Sequence, residues 1–149
     1  MSAFTGRDVA VEFAIGVESA NPASLTFKNL GMMRTKSFSV SWETVDTTAD
    51  DSPEFTKTSL VSFKAVEFSG DGVSYDDEQY NQAEMEAHVH NPGSATQNQP
   101  KVWLRLTFPD AVFVGPFIAS EWSRDASYND AVTWSMTAMS NGAVTRTAA

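Results

Sequence analysis

Three segments of the chain alternate apolar and polar residues with a period of two, which restricts the fold more strongly than composition does. Successive side chains of a β-strand point to opposite faces, so such a segment buries one face and exposes the other. The alternating segments are residues 8–17, 34–42 and 101–108, and three further segments are strand-like: residues 60–68, 112–122 and 131–139. They predict six or seven strands and a mainly β fold.

One segment departs from this alternation. Residues 76–89, DDEQYNQAEMEAHV, are rich in helix formers, carry acids in the first turn and end before an Asn-Pro-Gly sequence. Tyr80, Ala83 and Ala87 form a weak apolar stripe, which predicts a helix that leans on the body without entering the core. Because strands flank this helix on both sides, the sequence predicts two packed antiparallel sheets, a sandwich or barrel, with one flanking helix.

Three further segments predict turns and loops. Gly70, Asp71 and Gly72 predict a tight turn, because glycine readily adopts a positive φ. Residues 43–60 contain VDTTADDSPEF, which has neither strand nor helix periodicity and predicts a long loop. A long loop in a compact domain usually serves binding or another function. Residues 141–149, NGAVTRTAA, are small and polar and predict a short flexible tail.

Length and charge exclude several classes of protein. The chain of 149 residues fits one domain covering residues 1–149, since this length can bury roughly 70% of the unfolded surface. Its formal net charge of -9 repels nucleic-acid phosphates and anionic lipids. No apolar run is long enough to span a membrane, and the N-terminal residues do not resemble a signal peptide. We therefore expect neither direct nucleic-acid binding nor membrane insertion nor export.

Residues that could support metal or catalytic chemistry form no recognisable motif. The sequence has no cysteine, and its only histidines, His88 and His90, point to different sides of the predicted helix end. An exposed imidazole is favourable at the C-terminal end of a helix, where the helix dipole welcomes partial positive charge. Asp46, Asp50 and Asp51 could bind calcium, but their spacing lacks the ligand pattern of a helix-loop-helix site. No nucleophile elbow or phosphate-binding loop is present. The sequence therefore predicts no catalytic residue, metal or cofactor.

The tryptophans leave two interpretations open. All four lie in predicted strands: Trp42, Trp103, Trp122 and Trp134. Strand tryptophans are usually core or interface anchors, but exposed ones also stack on sugar rings. A carbohydrate-binding β-sandwich is therefore an alternative, and its glycan affinity would depend on Trp42, Trp103 or Trp122. A hydrolase that depends on His88 or His90 is a second alternative.

Two long segments resemble a known family. Residues 28–60, KNLGMMRTKSFSVSWETVDTTADDSPEFTKTSL, join a strand, an acidic loop beginning Val-Asp-Thr-Thr, and a strand that begins with leucine. Residues 115–145, GPFIASEWSRDASYNDAVTWSMTAMSNGAVT, form a closing hairpin pattern with Asn-Asp and a final Ser-x-Gly. With the single helix between them, these segments are similar to the major tail tube proteins of long, non-contractile tailed phages. The resemblance covers most of the chain, although residues 76–100 match only in kind.

The resemblance implies a structural virion protein and not an enzyme. Its subunits would form hexameric rings that stack helically into a hollow tube for genome delivery. The implied partners are other copies of the chain, further tail proteins at the tube ends, and the tape-measure protein and DNA in transit, without sequence-specific binding. No cofactor is implied. The implied location is the virion tail, assembled in the host cytoplasm. A type VI secretion-like tube protein is an alternative, because the sequence alone distinguishes it poorly from a phage tail tube protein.

Two sets of candidate site residues follow. The loop at residues 43–60 would reach between subunits or rings, with a lone aromatic residue as a possible anchor. The candidates in this loop are Thr44, Asp46, Thr47, Thr48, Asp50, Asp51 and Phe55. A lumen for DNA needs a non-adhesive wall, which acidic and hydroxyl strand faces provide. The lumen-facing candidates are Asp8, Glu12, Glu18, Ser37, Ser39 and Ser41.

Overall fold

The computed structural model describes residues 3, 5–47 and 59–148, which form eight strands and one helix. The strands are β1 Ala10–Ile15, β2 Lys28–Asn29, β3 Met33–Asp46, β4 Ser59–Val73, β5 Lys101–Thr107, β6 Ala111–Asp125, β7 Thr133–Ser140 and β8 Thr145–Ala148. The helix, α1, spans Gln82–His90. Short 3-10 turns lie at Gly6–Asp8, Pro22–Ser24, Glu78–Tyr80 and Ser94–Thr96. The predicted mainly β fold with one helix is confirmed.

The eight strands hydrogen-bond as one antiparallel sheet. Its order is β2-β1-β5-β6-β7-β4-β3, and β8 pairs with the beginning of β6. The long β6 joins two halves, because residues 112–118 pair with β5 and residues 117–125 pair with β7. Buried residues from both halves form one cluster, so the halves face each other as two layers. The predicted two-layered antiparallel arrangement is present, but both layers belong to a single sheet that is not closed.

The core lies between the two halves of the sheet. Val11 of β1 and Leu104 of β5 belong to the same buried cluster as Phe68 of β4 and Met136 of β7. Residues that point inward alternate with residues that point outward, as the sequence pattern predicted. Burying each large apolar side chain contributes roughly 1.5–3 kcal/mol, so the hydrophobic effect holds the halves together.

The helix begins later than the sequence predicted. Asn81, the residue before the helix, has a φ of 58°. This left-handed conformation does not occur inside a right-handed helix, so the helix cannot continue back through Asn81. The buried side chain of Gln82 accepts a hydrogen bond from the Tyr75 amide and donates to the carbonyl oxygens of Gly31 and Val73, at 2.9, 2.9 and 3.0 Å. These contacts, of which the one to Gly31 joins residues 51 positions apart, anchor the first residue of the helix.

The helix also enters the core by a different face from the one predicted. Ala83 and Ala87, two residues of the predicted apolar stripe, are exposed. Met85 is fully buried in the main cluster, and His88 is buried on the same side. The prediction of a helix that only leans on the body is therefore wrong, because Met85, which lies outside the predicted stripe, packs in the core.

Residues 70–72 do not form the predicted turn, since β4 continues to Val73. Gly72 lies opposite Met33 of β3. A Cβ atom on Gly72 would lie 2.3 Å from the carbonyl oxygen of Met32, a distance that no side chain tolerates. Glycine is therefore needed here for the close approach of two strands and not for a turn.

The end of the chain forms a strand where the sequence predicted a flexible tail. Residues Thr145–Ala148 pair antiparallel with residues 111–114 of β6. Backbone hydrogen bonds to β6 order this segment although its side chains are small or exposed. The prediction of a flexible tail is thus wrong for residues 145–148.

Candidate functional site

The distal part of the β3–β4 hairpin extends beyond the rest of the sheet. β7 pairs with β4 only over Glu67–Val73, whereas β3 and β4 continue to pair with each other as far as Asp46 and Ser59. We call residues 40–46 and 59–65 the arm. A two-stranded hairpin alone is marginally stable in water, so the arm depends on its continuity with the sheet.

The arm replaces both ends of the predicted loop. Residues 43–46 and 59–60 are strand in the structure, because cross-strand pairing continues through them. Among the predicted contact residues, Thr44 and Asp46 lie in β3, and Thr47 directly follows it. The remaining candidates lie outside the described residues: Thr48, Asp50, Asp51 and Phe55. Their role stays a prediction.

Large apolar side chains are exposed along the arm. Trp42 is 52% exposed, Leu60 65% and Phe63 74%. Three valines are also about half exposed: Val40, Val45 and Val61. The ammonium group of Lys64 lies 5.7 Å from the centre of the Trp42 ring. A concentration of exposed large apolar residues on one segment of a folded subunit is typical of an interaction site, so the arm is a candidate interface.

A polar surface covers the outward side of β3, β4, β7 and the second half of β6. The register aligns Ser37 with Ser69, Ser69 with Thr137, and Thr137 with Glu121. We call this surface the polar face; its polar residues are Thr35, Ser37, Ser39, Ser41, Glu67, Ser69, Asp71, Glu121, Ser123, Asp125, Thr133, Ser135 and Thr137, and the apolar residues Ala65, Val73 and Met139 lie on the same side. These residues include four carboxylates and no basic side chain, so the polar face is negatively charged.

The structure separates the two groups of predicted lumen residues. Ser37, Ser39 and Ser41 lie together on the polar face. Glu12 lies in β1, in the other half of the sheet, where it accepts two hydrogen bonds from Arg105 at 2.7 and 3.1 Å. This bidentate pair neutralises the Glu12 carboxylate within its own chain.

The other two acids are also engaged within the chain. Asp8 lies in a 3-10 turn and not in the predicted strand, and it accepts hydrogen bonds from Thr5 at 3.3 Å. Glu18 forms a 3.0 Å salt bridge with the buried ammonium of Lys101. A backbone hydrogen bond, followed by the Lys101 and Asn141 side chains, lowers the pKa of Glu18.

Each side of the polar face is bounded by an edge strand whose outer side pairs with no strand of the described chain. One edge is β3, which among the described strands pairs only with β4. The other is the second half of β6, because β5 pairs with β6 only up to Ile118. From Glu121 to Asp125, β6 pairs with β7 alone. Unpaired edges offer backbone donors and acceptors to another chain, so both are candidates for joining copies.

The two histidines lie in different environments. His88, predicted to be exposed, is buried, and its Nε2 atom lies 2.9 Å from the carbonyl oxygen of Lys101. His90 is exposed at the helix end. Within the described ranges, no group of three or more His, Cys, Asp or Glu residues could hold a metal ion. No helix of the same residues is long and apolar enough to cross a membrane.

Three of the four tryptophans are packed within the chain. Trp103 and Trp134 are buried, and Trp122 stacks on Trp134 with ring centres 4.7 Å apart. The Trp103 indole donates a 2.8 Å hydrogen bond to the carbonyl oxygen of Val17. Trp42, on the arm, is more than half exposed. This distribution favours core and interface anchoring over a row of tryptophans that stack on sugars.

Comparisons with known proteins point to one class. A family model described as phage tail tube protein matches residues 3–146. A chain in the virion of a native gene transfer agent particle has a TM-score of 0.75 at 20% identity, covering 97% of this chain and 99% of that one. A chain in the tail of an empty gene transfer agent particle, refined with helical and C6 symmetry, has a TM-score of 0.74 at 21% identity and the same coverage. The SPP1 tail tube has a TM-score of 0.65 at 12% identity, covering 99% and 80%. No functionally curated protein matches the sequence.

Proposed function

Because the chain belongs to the phage tail tube protein family and has a structural role in a tail tube, we propose that its copies join edge to edge into hexameric rings that stack helically. The family resemblance seen in the sequence is confirmed. The observation that carries the ring is the polar face, a four-stranded surface that ends on both sides in an edge unpaired within the described chain.

The directions of the strands allow these two edges to pair. β3, β4, β7 and β6 alternate in direction, so β3 runs antiparallel to β6. Copies related by rotation about a tube axis keep the same orientation, and β3 of one copy therefore meets β6 of the next as an antiparallel partner. Paired residues share a side of the sheet, so the polar face continues from copy to copy. A closed ring removes both edges.

In this proposal the polar face lines the lumen. The carboxylates of that face repel a polyanion, and its hydroxyl groups carry no positive charge that would hold one, so DNA passes without being bound. The residues proposed to face the lumen are Ser37, Ser39 and Ser41 together with Glu67 and Glu121. The proposal leaves out the three acids that are engaged within the other half of the chain: Asp8, Glu12 and Glu18.

The arm and the segment that follows β3 are proposed to contact other subunits, within the ring or in the next one. Leu60 and Phe63 are exposed on the arm, and burying them in a neighbour would contribute roughly 25 cal/mol per Å² of apolar surface. The residues proposed from the sequence for these contacts are Thr44, Asp46, Thr47, Thr48, Asp50, Asp51 and Phe55.

The same proposal covers location and partners. The protein would reside in the virion tail after assembly in the host cytoplasm. Its partners would be copies of itself, other tail proteins at the ends of the tube, and the tape-measure protein and DNA in the lumen. The role involves neither catalysis nor a cofactor. The match to the phage family supports this role over a secretion tube or a carbohydrate-binding module.

Electron microscopy tests the proposal directly. Negative staining of the purified protein at rising concentration, in low and high salt to screen its charge of -9, should show rings or hollow tubes. A reconstruction should place Ser37 and Ser39 on the inner wall. If they lie on the outer wall, the lumen assignment is wrong while the tube role stands. A protein that remains monomeric under all these conditions would contradict self-assembly of the chain alone.

A further inference from the structure

A groove of about 590 Å³ lies between α1 and the second half of β6. On the helix side it is bordered by Ala83 and Ala87, two small exposed residues one turn apart. On the strand side lies Trp122, whose indole donates a 2.8 Å hydrogen bond to Glu86. The guanidinium of Arg124 also pairs with Glu86. The groove is therefore partly apolar, and its central charges are already paired.

The groove lies on the side of the sheet opposite the polar face. Trp122 lies opposite Met136, and Met136 is buried in the core between the layers. Glu121 and Ser123, on either side of Trp122 in the sequence, belong to the polar face. The alternation of a strand places Trp122 on the other side.

The same alternation applies to β3 at the opposite edge. Val40 lies opposite Val66, which is buried on the core side, and Trp42 follows two residues later with the same orientation. Ser39, which precedes Val40, and Ser41, which lies between Val40 and Trp42, point to the polar face. Val40 and Trp42 thus lie on the same side of the sheet as the groove, but at the other edge of the subunit.

We propose that, within a ring, the groove of each copy receives Val40 and Trp42 from β3 of the neighbouring copy. This inference rests on the proposed edge-to-edge ring. When β3 of one copy pairs with the second half of β6 in the next, both copies share one sheet, and residues on one side of it remain on that side. Within one subunit Trp122 shares a row of the sheet with Lys36. Val40 and Trp42 therefore reach the groove of the next copy when neighbouring copies are staggered along the strands by about four to six residues, as in the shear of a closed barrel.

Two residues that precede Val40 on the same side of β3 are engaged within their own chain and are not available for this contact. The ring of Phe38 lies 4.5 Å from the ring of Phe113 in its own chain. The ammonium of Lys36 donates hydrogen bonds to the carbonyl oxygens of Gly6 and Val9. Val40 and Trp42 are the next residues on that side, and both are about half exposed. A neighbouring copy is therefore the surface that can cover them.

The chemistry of the two surfaces is complementary. An indole buries about 150–250 Å² in an interface and is frequently an energetic anchor. The small side chains of Ala83 and Ala87 leave room for the Trp42 ring.

Cysteine cross-linking tests the contact, since the chain contains no cysteine. In the double variant Val40→Cys/Ala87→Cys, a short bifunctional maleimide should join neighbouring copies of assembled protein into a ladder of covalent multimers. The control Val40→Cys/Ala23→Cys has its second cysteine at an exposed alanine in a 3-10 turn outside the groove and should show only background multimers. Tubes that form without a ladder would overturn the groove contact and leave the tube role intact. Absence of both tubes and ladder would overturn the ring as well.

A size series at one position provides a second test. Ala87 is exposed on the helix, so Ala87→Arg and Ala87→Ser should both leave monomer stability nearly unchanged. Arginine fills the groove, and we expect the critical concentration for tube formation to rise more than about tenfold. Serine leaves the groove open and should change it less than about twofold. Equal assembly of Ala87→Arg and the wild-type protein would contradict the proposal.

Discussion

Phe63 and Phe68 lie on the same strand, yet Phe63 is 74% exposed and Phe68 only 1%. Phe68 is flanked by β3 and by β7 and lies under the other half of the sheet. Phe63 belongs to the arm, where β3 and β4 pair only with each other. The two parts of β4 therefore serve different purposes: the part next to β7 folds the subunit, and the arm presents apolar surface to another chain.

Alanine substitutions at these two positions should give the largest contrast. Phe68→Ala should lower the free energy of unfolding of the monomer by about 3–5 kcal/mol, because it leaves a cavity in the core. Phe63→Ala should change it by less than about 0.5 kcal/mol and impair assembly instead. Urea unfolding of the monomer and sedimentation of assembled material measure the two effects. Equal destabilisation by both substitutions would show that the arm packs within its own subunit.

Deleting Thr47 to Pro53 tests whether the segment between the arm strands serves assembly or folding. The deletion should leave the free energy of unfolding nearly unchanged, because shortening a loop alters closure entropy by less than about 1 kcal/mol. We expect a folded monomer that no longer polymerises, as seen by circular dichroism and electron microscopy. Tubes of normal length would show that the segment is not needed for contacts between subunits.

Lys36 tests how the base of β3 is attached to the other half of the sheet. Its ammonium donates hydrogen bonds to the carbonyl oxygens of Gly6 and Val9 at 3.0 and 2.6 Å. Lys36→Met should lower the free energy of unfolding by about 1–2 kcal/mol through loss of these bonds. The matched control Lys64→Met, on the exposed arm, should change it by less than about 0.5 kcal/mol.

The effect of Lys36 should also depend on pH. Burial lowers the pKa of Lys36 below its ordinary value of 10.5, so the unfolded chain binds this proton more tightly than the folded chain. Stability of the wild-type protein relative to Lys36→Met should therefore rise with pH through the window between the lowered pKa and 10.5. Urea unfolding of both proteins across this window checks the sign, and a fall with rising pH would contradict it.

The acids of the polar face allow a smaller effect to be measured. If this face lines a ring, carboxylates of neighbouring copies repel one another during closure. Glu121→Gln should lower the critical concentration for assembly about twofold at low salt, and the difference should disappear at high salt because the charges are screened. Asp130→Asn, which removes an exposed acid from the loop after β6, is the control. Light scattering measures both, and equal effects would argue against the lumen assignment.

The smallest effect is expected at Glu18, in the half of the chain without the arm. Its pKa is lowered, first by a backbone hydrogen bond and then by Lys101. The corresponding stabilisation is present above the ordinary value of 4.5 and is lost as the pH falls through the lowered pKa. Glu18→Gln should therefore lose less stability on acidification than the wild-type protein does. Urea unfolding at neutral and acidic pH measures this, and identical pH profiles would contradict it.

Much of the fold and part of the candidate site could be predicted from the sequence. The period of two identified β1, β3 and β5, because alternation between a core and a solvent face is imposed by the local geometry of the strand. The serines of β3 were correctly placed on one face for the same reason. Periodicity could not show whether an apolar residue is covered, so the sequence did not distinguish the exposed Phe63 of the arm from the buried Phe68 of the core.

Tertiary structure alone decided which residues were held by distant partners. His88 is buried against the Lys101 carbonyl, and Gln82 is fixed by backbone groups far away in the sequence. Gly72 serves the close approach of β3, which no local pattern reveals. Local periodicity is a property of neighbouring residues and could be read directly from the chain. Burial, register and the unpaired edges arise from pairing between remote segments, whose free energy depends on the whole fold.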